Sequence, residues 1–139
     1  MKVKELMIKN VFTCAKDDPI LDVAKKMIDH DLGMLIVVED NLSKKPIGVL
    51  SDRDIINRVM IKKLDSNKTT AGQVCTKKII SINPESAVND AVDVMKKNNI
   101  KRLVVLDDYG NLVGIISKDD FIKQFLEIRK KLVDIAPAL

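Results

Sequence analysis

Ser51 and Asp54 stand three residues apart in GVLSDRDI (residues 48–55), and Ser117 and Asp120 keep the same spacing in GIISKDDF (114–121). Each pair follows a short apolar run, where a strand would end and a helix begin. A serine at such a junction accepts a backbone N–H of the first helical turn, and an acid three places on closes a reciprocal cap. The same groups also suit a ligand. Open N–H groups at a helix start attract phosphate, and a carboxylate beside them accepts hydrogen bonds from two neighbouring hydroxyls, as a ribose presents. Gly48 and Gly114 either permit close approach by a flat group or accommodate a strand bulge. Residue type and spacing therefore point to a nucleotide-like pocket or to capping alone, and they select no base.

Other chemistries find little support. Asp52/Asp54 and Asp119/Asp120 are paired carboxylates, yet acids at helix starts are usually solvated caps, and two-carboxylate catalysis needs a substrate held between them. The chain carries no nucleophile elbow, phosphate-binding Gly-rich/Lys loop or HExxH stretch. Cys14 and Cys75 lack an evident base and any close Cys/His spacing, and His30 is the only histidine, so neither thiol catalysis nor a zinc site is expected. The sequence reads as a non-enzyme.

The elements that position the two junctions are duplicated. GVLSDRDI and GIISKDDF are displaced by 66 residues; upstream the displacement becomes 68, aligning VKELMIKNVFT with AGQVCTKKIIS and LIVVED with LVVLDD. The two-residue difference falls in a turn, where NLSKKPIG is longer than YGNLVG. Each repeat reads alike. VFT and IISI are short first strands. Ile20, Val23, Ala24, Met27 and Ile28, with Val88, Ala91, Val92 and Met95, have the spacing of a helix with one buried face. MLIVVED and RLVVLDD are strands covered on both sides, and IGVLS and LVGIIS are the strands entering the helices at DRDIINRVM and KDDFIKQFLEIRKKLV. The polar stretch IKKLDSNKTTAG (61–72) marks the boundary, and the two halves are expected to pack sheet on sheet because each alone buries little surface.

Composition sets the remaining bounds. With 139 residues, 46% apolar and 32% charged, the chain supports a folded core and a hydrated surface. A net charge of +4 helps an anion arrive without identifying nucleic acid, and three Phe, one Tyr and no Trp leave few platforms for base stacking. The absence of an apolar run of membrane-spanning length and of a cleavable leader makes the cytoplasm the expected location. Phe125, Leu126, Ile128 and Leu132 in the final segment are expected to bury one face against the body or against a second chain, with Pro137 as a stop.

In the order and duplication of VKELMIKNVFT, AKKMIDHDLGMLIVVED, GVLSDRDI and their counterparts, the chain resembles a pair of cystathionine beta-synthase (CBS) domains, a Bateman module. The resemblance implies an α/β (α+β) fold of two β-α-β-β-α units related by a pseudo-twofold axis: a first CBS domain at 1–62, a linker at 63–70, a second CBS domain at 71–127 and a helical extension at 128–139. It implies two clefts between the domains for AMP, ADP, ATP or S-adenosylmethionine, no obligatory cofactor, and a regulatory role in which occupancy changes conformation and a partner reads the change. By the same resemblance Asp54 and Asp120 take ribose hydroxyls, and Ser51 and Ser117 lie near ribose or phosphate. Val11 and Thr13, with Ile79 and Ser81, border base and sugar; Ile100, Lys101 and Arg102 form a wall of the second pocket, where the cations reach phosphate. A homodimer is also implied. The alternative is a ligand-independent dimerisation or protein-interaction subunit.

The repeats differ at that wall. Where the second has Lys101 and Arg102 the first has Gly33 and Met34, so Arg53 is the candidate replacement cation and the second pocket ranks first for AMP or ADP.

Overall fold

A computed structural model describes residues 1–43 and 45–137. Lys44 in the NLSKKP turn and the last two positions of the C-terminal extension lie outside the described residues. The first repeat comprises α1 (Val3–Leu6), β1 (Thr13–Ala15), α2 (Ile20–Asp29), β2 (Met34–Val38), β3 (Pro46–Ser51) and α3 (Asp52–Ile55), which continues as a π-helical turn, Ile56–Met60. The second comprises α4 (Ala71–Val74), β4 (Ser81–Ile82), α5 (Val88–Asn98), β5 (Arg102–Leu106), β6 (Leu112–Ser117) and α6 (Lys118–Val133). The β-α-β-β-α order expected of each half is present, with a four-residue helix added in front of each.

The first sheet has the order β1-β2-β3 and the second β4-β5-β6. β1 runs parallel to β2 with Thr13 opposite Ile36, and β2 runs antiparallel to β3 with Met34 opposite Ser51. Val37 faces Gly48 but Val38 faces Pro46, so Ile47 is the extra residue of a bulge beside the glycine. In the second sheet β4 is parallel to β5, with Ser81 opposite Val104. The continuous apolar strands are buried as their composition requires: Leu35, Ile36, Val37 and Val38 are at most 1% exposed.

The helical stripes are narrower than the spacing predicts. Ile20, Val23 and Met27 of α2 are buried against Leu35, Val37 and Leu50, whereas Ile28 is 82% exposed. In α5 Ala91 and Met95 are buried and Val92 is exposed. Both helices are followed by a left-handed residue at the corresponding place, Asp31 (φ 52°) and Asn99 (φ 51°), short polar residues that tolerate this geometry better than most.

The compact units do not coincide with the repeats. One consists of Met1–Lys9, Ser81–Asp107 and Val113–Leu139; the other of Asn10–Ile80 and Asp108–Leu112. Each repeat thus contributes its leading helix to the other's unit. In the second unit Thr76, just past α4, exchanges both backbone hydrogen bonds with Val49 of β3 (2.8 and 2.9 Å). In the first, Ile8, just past α1, does the same with Ile115 of β6 (2.8 and 3.0 Å). The polar stretch before α4 is docked as well: the carbonyls of Ser66 and Thr69 accept the Leu21 and Ile20 N–H groups at the start of α2.

These edge segments pack against the strand glycines. A Cβ on Gly48 would lie 2.6 Å from Cys75 Sγ and 2.8 Å from the Thr76 carbonyl oxygen; one on Gly114 would meet Met7 Sδ at 2.6 Å. The close approach that a missing side chain permits is made by the chain's own edge segment.

α6 runs without interruption from Lys118 through residue 128 to Val133 and contains no buried residue. Phe125 is 68% exposed, and Leu126, Ile128 and Leu132 are exposed too. Among the described residues, nothing covers the apolar face that Phe125, Leu126, Ile128 and Leu132 present.

Candidate functional site

Both serine–aspartate boxes form as the spacing predicts. Ser51 Oγ accepts the Asp54 N–H at 3.1 Å while Asp54 Oδ2 accepts the Ser51 N–H at 3.0 Å. Ser117 Oγ accepts the Asp120 N–H at 3.3 Å, and Asp120 Oδ2 accepts both the Ser117 N–H (2.8 Å) and its hydroxyl (2.9 Å). Each box spends one carboxylate oxygen on the cap. The other is what remains for a ligand.

The junctions then diverge. In the first, Arg58 Nη2 pairs with Asp54 Oδ1 at 3.3 Å, the Asp52 side chain accepts the Arg53 N–H at 2.7 Å, and the Asp52 N–H donates to the Gly33 carbonyl at 3.0 Å. The first three amides of α3 and both oxygens of Asp54 are therefore occupied from within. In the second, the Lys118 N–H donates to the Lys101 carbonyl at 2.8 Å and Ser117 takes the Asp120 N–H. Among the described residues no cation pairs with Asp120, and Gln124 stands at the place corresponding to Arg58.

The second junction opens onto two recesses. One, of about 230 Å³, is lined by Lys101, Arg102, Ser117, Lys118 and Asp119. Its three cations outnumber its one carboxylate, Asp119, a balance that suits an anionic group. The other, of about 500 Å³, is mostly apolar and lies between α5 and α6, where Met95, Ile100 and Phe121 meet Lys101 and Lys118 at the rim. Lys101, Arg102 and Ser117 are thus brought together, and Ile100 lines the neighbouring recess. Ser81 is exposed in β4 and lines neither; Ile79 is half-buried and belongs to the other compact unit. In the first junction Ser51 and Asp54 are joined and Arg53 is exposed. Val11 is half-buried, and the Thr13 carbonyl accepts Lys26 Nζ at 2.5 Å.

Three contributors escaped the sequence reading. Lys118 lines both recesses; its place directly after Ser117 was the available signal. Arg58 and Lys26 were indistinguishable from other helix-surface cations. Thiol chemistry gains nothing from the geometry: burial foremost, then the charge of Asp18, pushes the Cys14 thiol up to about 12, and burial raises Cys75. His30 stacks on Phe12 with ring centroids 4.3 Å apart. No three metal-ligating side chains converge among the described residues, and none of the described helices is long and apolar enough to cross a membrane.

A family model described as the CBS domain matches residues 3–61 and again residues 71–127. The chain belongs to the CBS-domain family. The tandem pair inferred by resemblance is therefore established, and CBS pairs are generally regulatory modules without catalytic activity of their own. The uncharacterized protein MJ0450 of Methanocaldococcus jannaschii is 32% identical over 130 residues, covering 94% of this chain and 69% of that protein. The CBS domain-containing protein YhcV of Bacillus subtilis is 34% identical over 118 residues, 85% of this chain and 81% of its own. Two other relatives are longer, and the chain spans 62% and 54% of them. Among solved structures, the CBS domain pair of protein MJ0100 in complex with 5′-methylthioadenosine and S-adenosyl-L-methionine is 27% identical with a TM-score of 0.77, covering 90% of this chain and 95% of that one.

Proposed function

We propose that this CBS pair is a non-catalytic regulatory module that binds an adenosine-containing ligand, AMP, ADP, ATP or S-adenosylmethionine, and passes occupancy to a partner as a change of conformation. The observation that carries the reading is the second junction, where Ser117 lines a recess with Lys101, Arg102, Lys118 and Asp119 and is hydrogen-bonded to Asp120, whose carboxylate has no paired cation among the described residues. Hydroxyls of a ribose are matched by the Asp120 carboxylate, and a phosphate or carboxylate by the Lys101, Arg102 and Lys118 cations. That MJ0100 was crystallised with two adenosyl compounds supports the ligand class. Signalling requires that the ligand bind two arrangements of the chain with different affinity.

Calorimetric titration of the folded protein with AMP, ADP, ATP, S-adenosylmethionine and 5′-methylthioadenosine tests the reading. Saturable heat that Asp120→Asn weakens supports it; no heat from the whole panel at millimolar ligand refutes it.

The exposed apolar face of α6 favours a second role, association of two chains into a homodimer, with or without ligand. Sedimentation of the wild type as a dimer and of Phe125→Glu as a monomer supports this role; a monomeric wild type at working concentrations removes it.

A further inference from the structure

We propose that Arg58 is a specificity-determining residue of the first junction, an internal competitor for the hydroxyls that Asp54 would otherwise accept. The inference rests on the reading of Asp54 and Asp120 as ribose acceptors and adds a mechanism for unequal pockets. Three observations carry it. Arg58 Nη2 holds Asp54 Oδ1 at 3.3 Å, the oxygen that the capping box leaves open. Its Nη1 donates to the Val74 carbonyl at 2.7 Å, at the end of α4, so one guanidinium ties the carboxylate to the segment whose Thr76 pairs with Val49. And Arg58 lies within the π-helical turn Ile56–Met60, closed by the Ile61 N–H on the Ile56 carbonyl at 2.9 Å, whereas the corresponding stretch of α6 is regular α-helix with Gln124 in place of the arginine. A π-turn inside a helix is uncommon and often accompanies a functional position.

The consequence is a coupled exchange. A ligand hydroxyl that takes Asp54 Oδ1 competes with the guanidinium for that oxygen, and where the guanidinium swings away the Val74 carbonyl loses its donor. Occupancy of the first junction therefore loosens the α4 edge segment; occupancy of the second, with no arginine to displace, loosens nothing comparable.

Backbone amide signals of Ser51 and Ser117 report the two junctions separately in an NMR titration with S-adenosylmethionine, 5′-methylthioadenosine and AMP. Arg58→Gln is expected to tighten binding at the Ser51 junction about two- to fivefold, the range of a partly exposed ion pair. Gln124→Arg is expected to weaken the Ser117 junction by a similar factor. Hydrogen exchange at the Thr76 and Val49 amides is expected to quicken in Arg58→Gln without ligand, and ligand is expected to quicken it in the wild type. If Asp54→Asn and Asp120→Asn leave binding unchanged, the ribose reading fails and the proposal with it. If they weaken binding while Arg58→Gln leaves the Ser51 affinity or the Thr76 exchange at the wild-type value, the proposal alone is overturned.

Discussion

Replacing Gly48 by alanine asks whether the missing side chain serves the fold or a ligand. The added Cβ would meet two groups that have little freedom to move: Cys75 Sγ at 2.6 Å, on a side chain with a single rotatable bond before the sulfur, and the Thr76 carbonyl oxygen at 2.8 Å, about 0.6 Å inside ordinary contact. That carbonyl also accepts the Val49 N–H at 2.9 Å, so its retreat strains the edge pairing. Gly114→Ala is the internal control. There the nearest atom, at 2.6 Å, is Met7 Sδ near the end of a flexible chain, and the backbone contact, Ile8 O, is at 3.0 Å. Overpacking typically costs roughly 1–3 kcal/mol; we expect about 2–3 kcal/mol for Gly48→Ala and about 1 kcal/mol for Gly114→Ala. Urea unfolding followed by circular dichroism measures both, with the m-value held as a check on the unfolded state. Adding Cys75→Ala to Gly48→Ala should recover only part of the loss, since the Thr76 contact remains, and the coupling follows from a double-mutant cycle. A Gly48→Ala protein within about 0.5 kcal/mol of wild type, the scatter of neutral surface changes, would refute the reasoning. Loss of ligand binding at unchanged stability would instead return the glycine to the pocket.

Three further outcomes follow from the geometry. Ser51→Ala and Ser117→Ala should each lower stability by about 1 kcal/mol through loss of the cap, measured by the same urea unfolding; no change would mean that the boxes are not formed in solution. Cys14 should resist iodoacetamide at pH 8 in the folded protein, because burial holds its thiol up near 12, and rapid native labelling would contradict its placement. Glu85, hydrogen-bonded to Lys2 Nζ (2.7 Å) and Lys4 Nζ (2.8 Å), is held down from 4.5 to about 2. A depressed carboxyl stabilises the fold above its unfolded value and loses that contribution as pH falls through the folded one, here between about 4.5 and 2. A carboxyl-carbon NMR titration should give a midpoint near 2 that rises in Lys4→Ala; an ordinary glutamate midpoint in the wild type would remove the pairing.

The duplication, the strands, the principal helices and both serine–aspartate boxes were legible because each rests on local pattern: alternating or continuous apolar runs, a helical stripe, a cap whose two members stand three residues apart. The leading helices were less so. Thr70 and Gln73 do form a recognisable cap, with Gln73 Oε1 accepting the Thr70 N–H at 3.0 Å, but four residues carry too little periodicity to announce a helix. Nor does any local pattern say which sheet an edge segment joins, so the partners of Gly48 and Gly114 came only with the fold. Arg58 shows the same limit for the site. Its charge was visible, while its aim at Asp54 depends on a π-turn that no composition signals.

The traded leading segments describe how such a chain is put together as well as how it stands. Ribosomal synthesis completes Asn10–Ile80 before Met1–Lys9 has anything to join, since the β6 residue that pairs with Ile8 emerges more than a hundred residues later. In its connectivity the chain is equivalent to two half-length units that have exchanged their leading helices and are joined by a covalent link, the arrangement of a domain-swapped pair within one chain.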